Sequence, residues 1–116
     1  MSLQLAERVG TLVNADASRL VELFKDLHRH PELGFTEVRT ARIVAQALTD
    51  LRFTVTTGIG GTGVVGILHN GLGPTVMYRA DMDALPVEEA TGLDYASTAR
   101  VRRSDGTETP VAHVCG

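Results

Sequence analysis

The apolar pattern of this chain changes period once, between Asp50 and Phe53, and that switch restricts it to folds that combine helices with strands. Before the switch, Leu20, Leu23, Phe24 and Leu27 recur at helical spacing behind the candidate caps Asn14 and Asp16. This stripe predicts an amphipathic helix with one buried face, stopping at His30-Pro31 because the residue before a proline is pushed out of helical geometry. Gly10 weakens any helix through Leu3 to Val13, so the stripe alone does not decide whether that segment joins. A second helix is expected from Thr36, a good cap, and Glu37, which suits the positive end of a helix dipole. It continues through Ala41, Val44, Ala45, Leu48 and Leu51 to end near Asp50.

After the switch, Phe53 to Thr57 alternates with β-branched residues, and Val64 to Leu68 and Thr75 to Ala80 are further strand candidates, the last two divided by the turn residues Asn70 to Pro74. The predicted order is α-α-β-β-β, an α/β fold with two helices packed on a mixed three-stranded sheet. Beyond Pro86 the pattern is irregular, and Arg100 to Thr109 is expected as a charged loop with its tip at Ser104-Asp105-Gly106. No internal repeat is present.

Eleven Lys and Arg against 14 Asp and Glu leave a net charge of −3, which excludes a general nucleic-acid binder, since phosphate neutralisation needs an excess of basic side chains. With 43% hydrophobic and 22% charged residues, the chain has the balance of a globular domain rather than a disordered one. No apolar run approaches the ~20 residues of a membrane span. Glu7 and Arg8 interrupt the apolar start, unlike a signal peptide. The single cysteine, Cys115, precludes an internal disulfide and points to a reducing, cytoplasmic setting. A soluble protein without membrane partners is the expectation.

Four constellations could carry chemistry. Gly58-Ile59-Gly60-Gly61-Thr62-Gly63 fits the dinucleotide fingerprint, with Asp81 or Asp83 at a suitable distance beyond it. However, the β-branched text that follows leaves no room for the helix N-terminus a pyrophosphate needs, so the glycines are better taken as a hairpin connection. His28-Arg29-His30 cannot converge on one ion, because residues two apart on a helix point in different directions. These cations instead complement the negative end of the first helix. Asp81 and Asp83 share a face if the segment is extended, and such a pair either serves a metal network or base, or is a pair of solvated loop acids. His113 and Cys115 close the chain. A thiolate near an imidazole suits metal or nucleophile sites, and a cysteine near a chain end is also commonly a small buried hydrophobe.

Taken together, Leu27-His28-Arg29-His30-Pro31-Glu32-Leu33, Tyr78-Arg79-Ala80-Asp81-Met82-Asp83-Ala84-Leu85-Pro86 and His113-Val114-Cys115-Gly116 resemble, in order, the signatures of one family. It is the amidohydrolases of the hippurate hydrolase and indoleacetyl-amino-acid hydrolase type, a branch of the aminoacylase and carboxypeptidase metallopeptidase superfamily. The resemblance implies metal-dependent hydrolysis of the amide bond of small N-acyl amino acids, with two divalent metals (zinc, manganese, cobalt or nickel) in the complete enzyme. It makes Cys115 a metal ligand and Asp83 an acid that supports the site. Asp81 stands where wider relatives carry a metal-binding histidine, and His113 is a further candidate.

The same resemblance implies a zinc-aminopeptidase-like three-layer domain of which residues 1–116 are the N-terminal part, with the lid or dimerisation domain and the C-terminal half absent. In the family the last motif continues with Gly-His-Asp, and further Glu and His ligands and a catalytic glutamate follow. One cysteine cannot hold a dimetal centre. The chain alone is therefore expected to be inert, not to retain the metals, and to self-associate or pair with the missing C-terminal part. Two other readings compete with the enzyme: a non-catalytic interaction or regulatory module that keeps half the fold, and a dinucleotide-binding domain.

Overall fold

A computed structural model describes residues 3–115; Gly116, the end of the third motif, lies outside the described residues. Helix α1, Leu3–Arg29, is a single element of 27 residues, so the segment around Gly10 does join it. A glycine costs a helix interior about 1 kcal/mol relative to alanine, which interrupts nothing in a helix this long.

The expected burial of its stripe does not occur. No residue of α1 is buried, and Leu12 and Phe24 are 69% and 57% exposed. At 1.5 Å per residue the helix is about 40 Å long, whereas the longest strand has 6 residues and spans roughly 20 Å, so most of the stripe outreaches anything that could cover it. Its C-terminal half engages the rest of the chain, where Leu23, Leu27 and His28 are half-buried.

Helix α2 runs Val38–Asp50. Thr36, the expected cap, turns back instead, its hydroxyl donating to the Leu33 carbonyl at 2.7 Å. Glu32 takes over the capping role. Its two carboxylate oxygens accept the Arg39 amide at 2.9 Å, the Thr40 amide at 2.7 Å and the Thr40 hydroxyl at 2.8 Å, satisfying donors that the first turn of a helix leaves without partners. Arg39 also joins the helices, its Nη2 lying 2.9 and 2.8 Å from the two carboxylate oxygens of Asp26.

Strands β1 (Thr54–Ile59) and β2 (Gly63–Ile67) form an antiparallel hairpin with Val55 opposite Gly66 and Ile59 opposite Gly63. The glycine-rich segment is its connection, as expected, with Gly58 and Gly60 at φ of 78° and 62°, where a side chain would be strained. Helix α2 packs on this hairpin; a Cβ on Gly66 would lie 3.0 Å from Leu48 Cδ1. The Thr62 hydroxyl donates to Glu37 at 2.6 Å, tying the connection to the start of α2.

Arg100 to Thr109 is more ordered than a loop. Strands β3 (Arg100–Arg102) and β4 (Glu108–Pro110) pair antiparallel around the expected tip, where Arg103 N donates to the Thr107 carbonyl at 2.8 Å. Val101 pairs with Thr109, two β-favouring residues whose signal is masked in the sequence by flanking charges.

The third expected strand, 75–80, belongs to no strand among the described residues. Two two-stranded antiparallel sheets stand in place of one mixed three-stranded sheet, and the α/β class with two helices holds. A strand must hand its backbone groups to a neighbour, and 75–80 takes up neither of the outer edges that the β1–β2 hairpin leaves open. Val76, Met77 and Tyr78 are consequently 88%, 87% and 93% exposed. No helix among the described residues is long and apolar enough to cross a membrane.

Candidate functional site

Two isolated backbone bridges assemble the site. Ala84 pairs in parallel with Leu33, and Leu85 pairs antiparallel with Ala112. The Ala84 amide donates to the Glu32 carbonyl at 2.8 Å, and Leu85 and Ala112 exchange two bonds of 3.0 Å. Small residues permit this close passage: Ala84, Val111 and Ala112 form the buried core at 3%, 1% and 0% exposure. Sequence positions some 50 and 30 residues apart thus meet on three adjacent backbones. Asp83 precedes one bridge by a single residue, and His113 follows the other by one.

His113 hydrogen-bonds the Asp83 backbone. Burial, the larger cause, and the neighbouring His28 push its pKa below the ordinary histidine value, against an opposing pull from Asp83. The neutral ring is therefore favoured, the form that can ligate a metal. Its Nε2 is enclosed without a hydrogen-bond partner. Cys115, two residues further on, is free and exposed.

Asp81 and Asp83 line one open cleft of about 390 Å³ together with Phe35, Glu37, Gly60 and Thr62. They are not equivalent within it. Asp81 is held by the Arg79 guanidinium at 2.6 Å in an exposed pair, which leaves it less available as a ligand, whereas Asp83 sits beside Gly34 at the bridge.

Sulfur, imidazole nitrogen and carboxylate are a donor set suited to zinc and its neighbours. The orphaned Nε2 of His113 and the free thiol of Cys115 fit part of a metal centre. Among the described residues no three His, Cys, Asp or Glu side chains are grouped to hold an ion, so they do not make a whole one.

Sequence reasoning missed Glu89. Its side chain, 2% exposed, accepts from His28 Nε2 at 2.9 Å, from the Thr91 hydroxyl at 2.6 Å and from the Ser97 amide at 2.7 Å. Those three donors, Thr91 foremost, hold its pKa down to about 2. His28 in the last turn of α1 thus turns to Glu89 instead of capping its own helix. The carbonyl of Asp26 near the helix end is taken up by His30, whose Nδ1 donates to it at 2.8 Å. No periodicity flags a lone glutamate 61 residues from its partner.

Comparison with known proteins gives the following. The chain is 44% identical over 91 residues to the hippurate hydrolase of Campylobacter jejuni, covering 78% of this chain and 21% of that protein. It is 37% identical over 117 aligned positions to thermostable carboxypeptidase 1 of Saccharolobus solfataricus, covering 98% and 30%. Among solved structures it is similar to a Bacillus subtilis protein described as a dinuclear metal binding peptidase from the M20 family, with a TM-score of 0.72 and 34% identity over 89% of this chain and 27% of that one. The chain therefore spans less than a third of the length of these relatives. No family model matches it.

Proposed function

We propose that this chain, a homologue of hippurate hydrolases and M20-family peptidases, is the N-terminal part of a metallohydrolase catalytic domain that cleaves the amide bond of N-acyl amino acids. The observation that supports the reading most is the pair of backbone bridges at Ala84 and Leu85, which draws the three family-like motifs onto one spot.

In this reading Cys115 is a metal ligand and His113 offers a second donor through Nε2. Asp83 orients the His113 ring through its backbone, while Asp81 stays outside, neutralised by Arg79. A divalent metal bound there lowers the pKa of water and polarises the amide carbonyl of the substrate. Two such ions, drawn from zinc, manganese, cobalt or nickel, need further ligands and a proton-carrying carboxylate that another part of the enzyme supplies. A ligand thiolate that must stay reduced favours the cytoplasm.

The test is a graft. Replacing the matching region of the Campylobacter jejuni hippurate hydrolase with this chain should preserve metal-dependent hydrolysis of N-benzoylglycine, and Cys115→Ser in the graft should lower metal content and turnover together. A graft that folds and binds metal without turnover, or a Ser variant with full metal and rate, overturns the reading. This chain alone should show no turnover above a metal-only blank.

A further inference from the structure

Glu89 is the node from which two routes lead to the His113–Cys115 end. The first passes through His28. A carboxylate only accepts, so His28 donates its Nε2 proton to Glu89 at 2.9 Å, and the imidazole is then fixed edge-on to Tyr95, with ring centroids 5.5 Å apart, and tilted toward His113 at 6.4 Å. The second passes through Ser97. Its amide donates to the same Glu89 oxygen, Oε2, at 2.7 Å, and its hydroxyl donates to the Val111 carbonyl at 2.6 Å, four residues before Cys115. The node is well enclosed, with the Glu89 and His28 side chains 2% and 11% exposed.

We infer that Glu89 and His28 are positioning residues for the metal-binding end of the chain: Glu89 orients the His28 ring, which backs His113, and Ser97 anchors the segment that leads to it at Val111, so that His113 Nε2 and the Cys115 thiol are presented together. The inference rests on the metal reading of Cys115 proposed above. His28 reaches Glu89 with the nitrogen far from its backbone, a contact that a glutamine amide at the same position can reproduce and an alanine cannot.

The experiment is a cobalt(II) titration of the graft described above, which supplies the remaining ligands, followed at the thiolate-to-cobalt charge-transfer band, which reports the Cys115–metal bond without any activity. His28→Ala and Glu89→Ala should weaken cobalt binding by about 10- to 100-fold, with helix content by circular dichroism retained, and His28→Gln should stay near wild type. Cobalt binding unchanged in His28→Ala, or weakened as much by Gln as by Ala, overturns the inference and leaves the metal reading intact. Should His28→Ala unfold, Ser97→Ala takes its place. It removes the hydroxyl's bonds to the Val111 carbonyl and from the Ala99 amide while leaving the Ser97 amide on Glu89, so weaker binding supports the inference and unchanged binding overturns it. A wild-type graft that folds but shows no charge-transfer band overturns the metal reading and the inference with it.

Discussion

Nε2 of His28 lies 2.9 Å from a carboxylate oxygen of Glu89, and this buried contact ties the last turn of α1 to a segment 61 residues further along the chain. Because the Glu89 carboxylate also accepts from Thr91 and Ser97, its ionised form is held by three donors and its pKa falls from 4.5 to about 2. The folded state thus binds this proton less readily than the unfolded state. The resulting stabilisation is fully present above about pH 4.5 and is lost as pH falls toward 2. Urea midpoints between pH 5 and 2 should therefore decline more steeply for the wild-type chain than for Glu89→Gln, which has no proton to take up. Parallel slopes would show that the contact does not favour folding.

Glu32 makes a second prediction, about stability. Burial pushes its carboxyl up, but the Arg39 and Thr40 amides and the Thr40 hydroxyl together outweigh that and hold it below the usual value. Glu32→Ala leaves two α2 amides and the buried Thr40 hydroxyl without their acceptor and should cost about 1–2 kcal/mol in chemical denaturation. Glu32→Gln keeps one acceptor oxygen and should cost less. A cost for Ala below a few tenths of a kcal/mol would place the cap elsewhere.

Strand β2 offers a third prediction, because two of its glycines face different neighbours. A Cβ on Gly63 would collide with the backbone carbonyl oxygen of Ile59, which the hairpin pairing holds in place. On Gly66 it would meet the Leu48 and Phe53 side chains at 3.0 and 3.2 Å, and these can shift. Gly63→Ala should lower stability by about 2–3 kcal/mol and Gly66→Ala by about 1 kcal/mol or less. The reverse order in thermal or urea unfolding would mean that the turn is looser than its geometry.

What the sequence made legible follows from how local each signal is. The α2 stripe, the glycine connection at Gly58–Gly63 and the tip at Ser104–Gly106 are decided by residues that are neighbours in the chain and lie where the patterns put them, whereas α1 starts at Leu3 and carries the expected caps Asn14 and Asp16 in its interior. The segment 75–80 has the composition of a strand, but composition does not name the neighbour that must accept its hydrogen bonds. The site divides in the same way. Asp83, His113 and Cys115 were recognisable as parts of motifs, whereas Glu89 and Glu32 act through contacts with distant or unpatterned partners. Thr36 was the better cap by type, yet the turn from Pro31 to Phe35 aims Glu32 at the α2 amides and Thr36 at Leu33.

The uncovered apolar surface makes the last prediction. Leu3, Leu12 and Phe24 on α1 are 84%, 69% and 57% exposed, and Val76, Met77 and Tyr78 stand free on the segment that lacks a strand partner. An amphipathic helix hides its stripe most readily against another copy of the same stripe, and an unpaired extended segment can accept a strand from a neighbour. Each 100 Å² of apolar surface removed from water contributes about 2.5 kcal/mol, so a few such patches offset much of the cost of holding two chains together. The isolated chain should accordingly self-associate, with its scattering mass falling on dilution. Leu12→Glu, which sets a charge in the middle of the exposed α1 stripe without touching the bridges at Ala84 and Leu85, should shift it toward monomer. A particle that stays at 12.4 kDa at the highest attainable concentration, without binding a hydrophobic dye, would show that these faces are stable in water unaided.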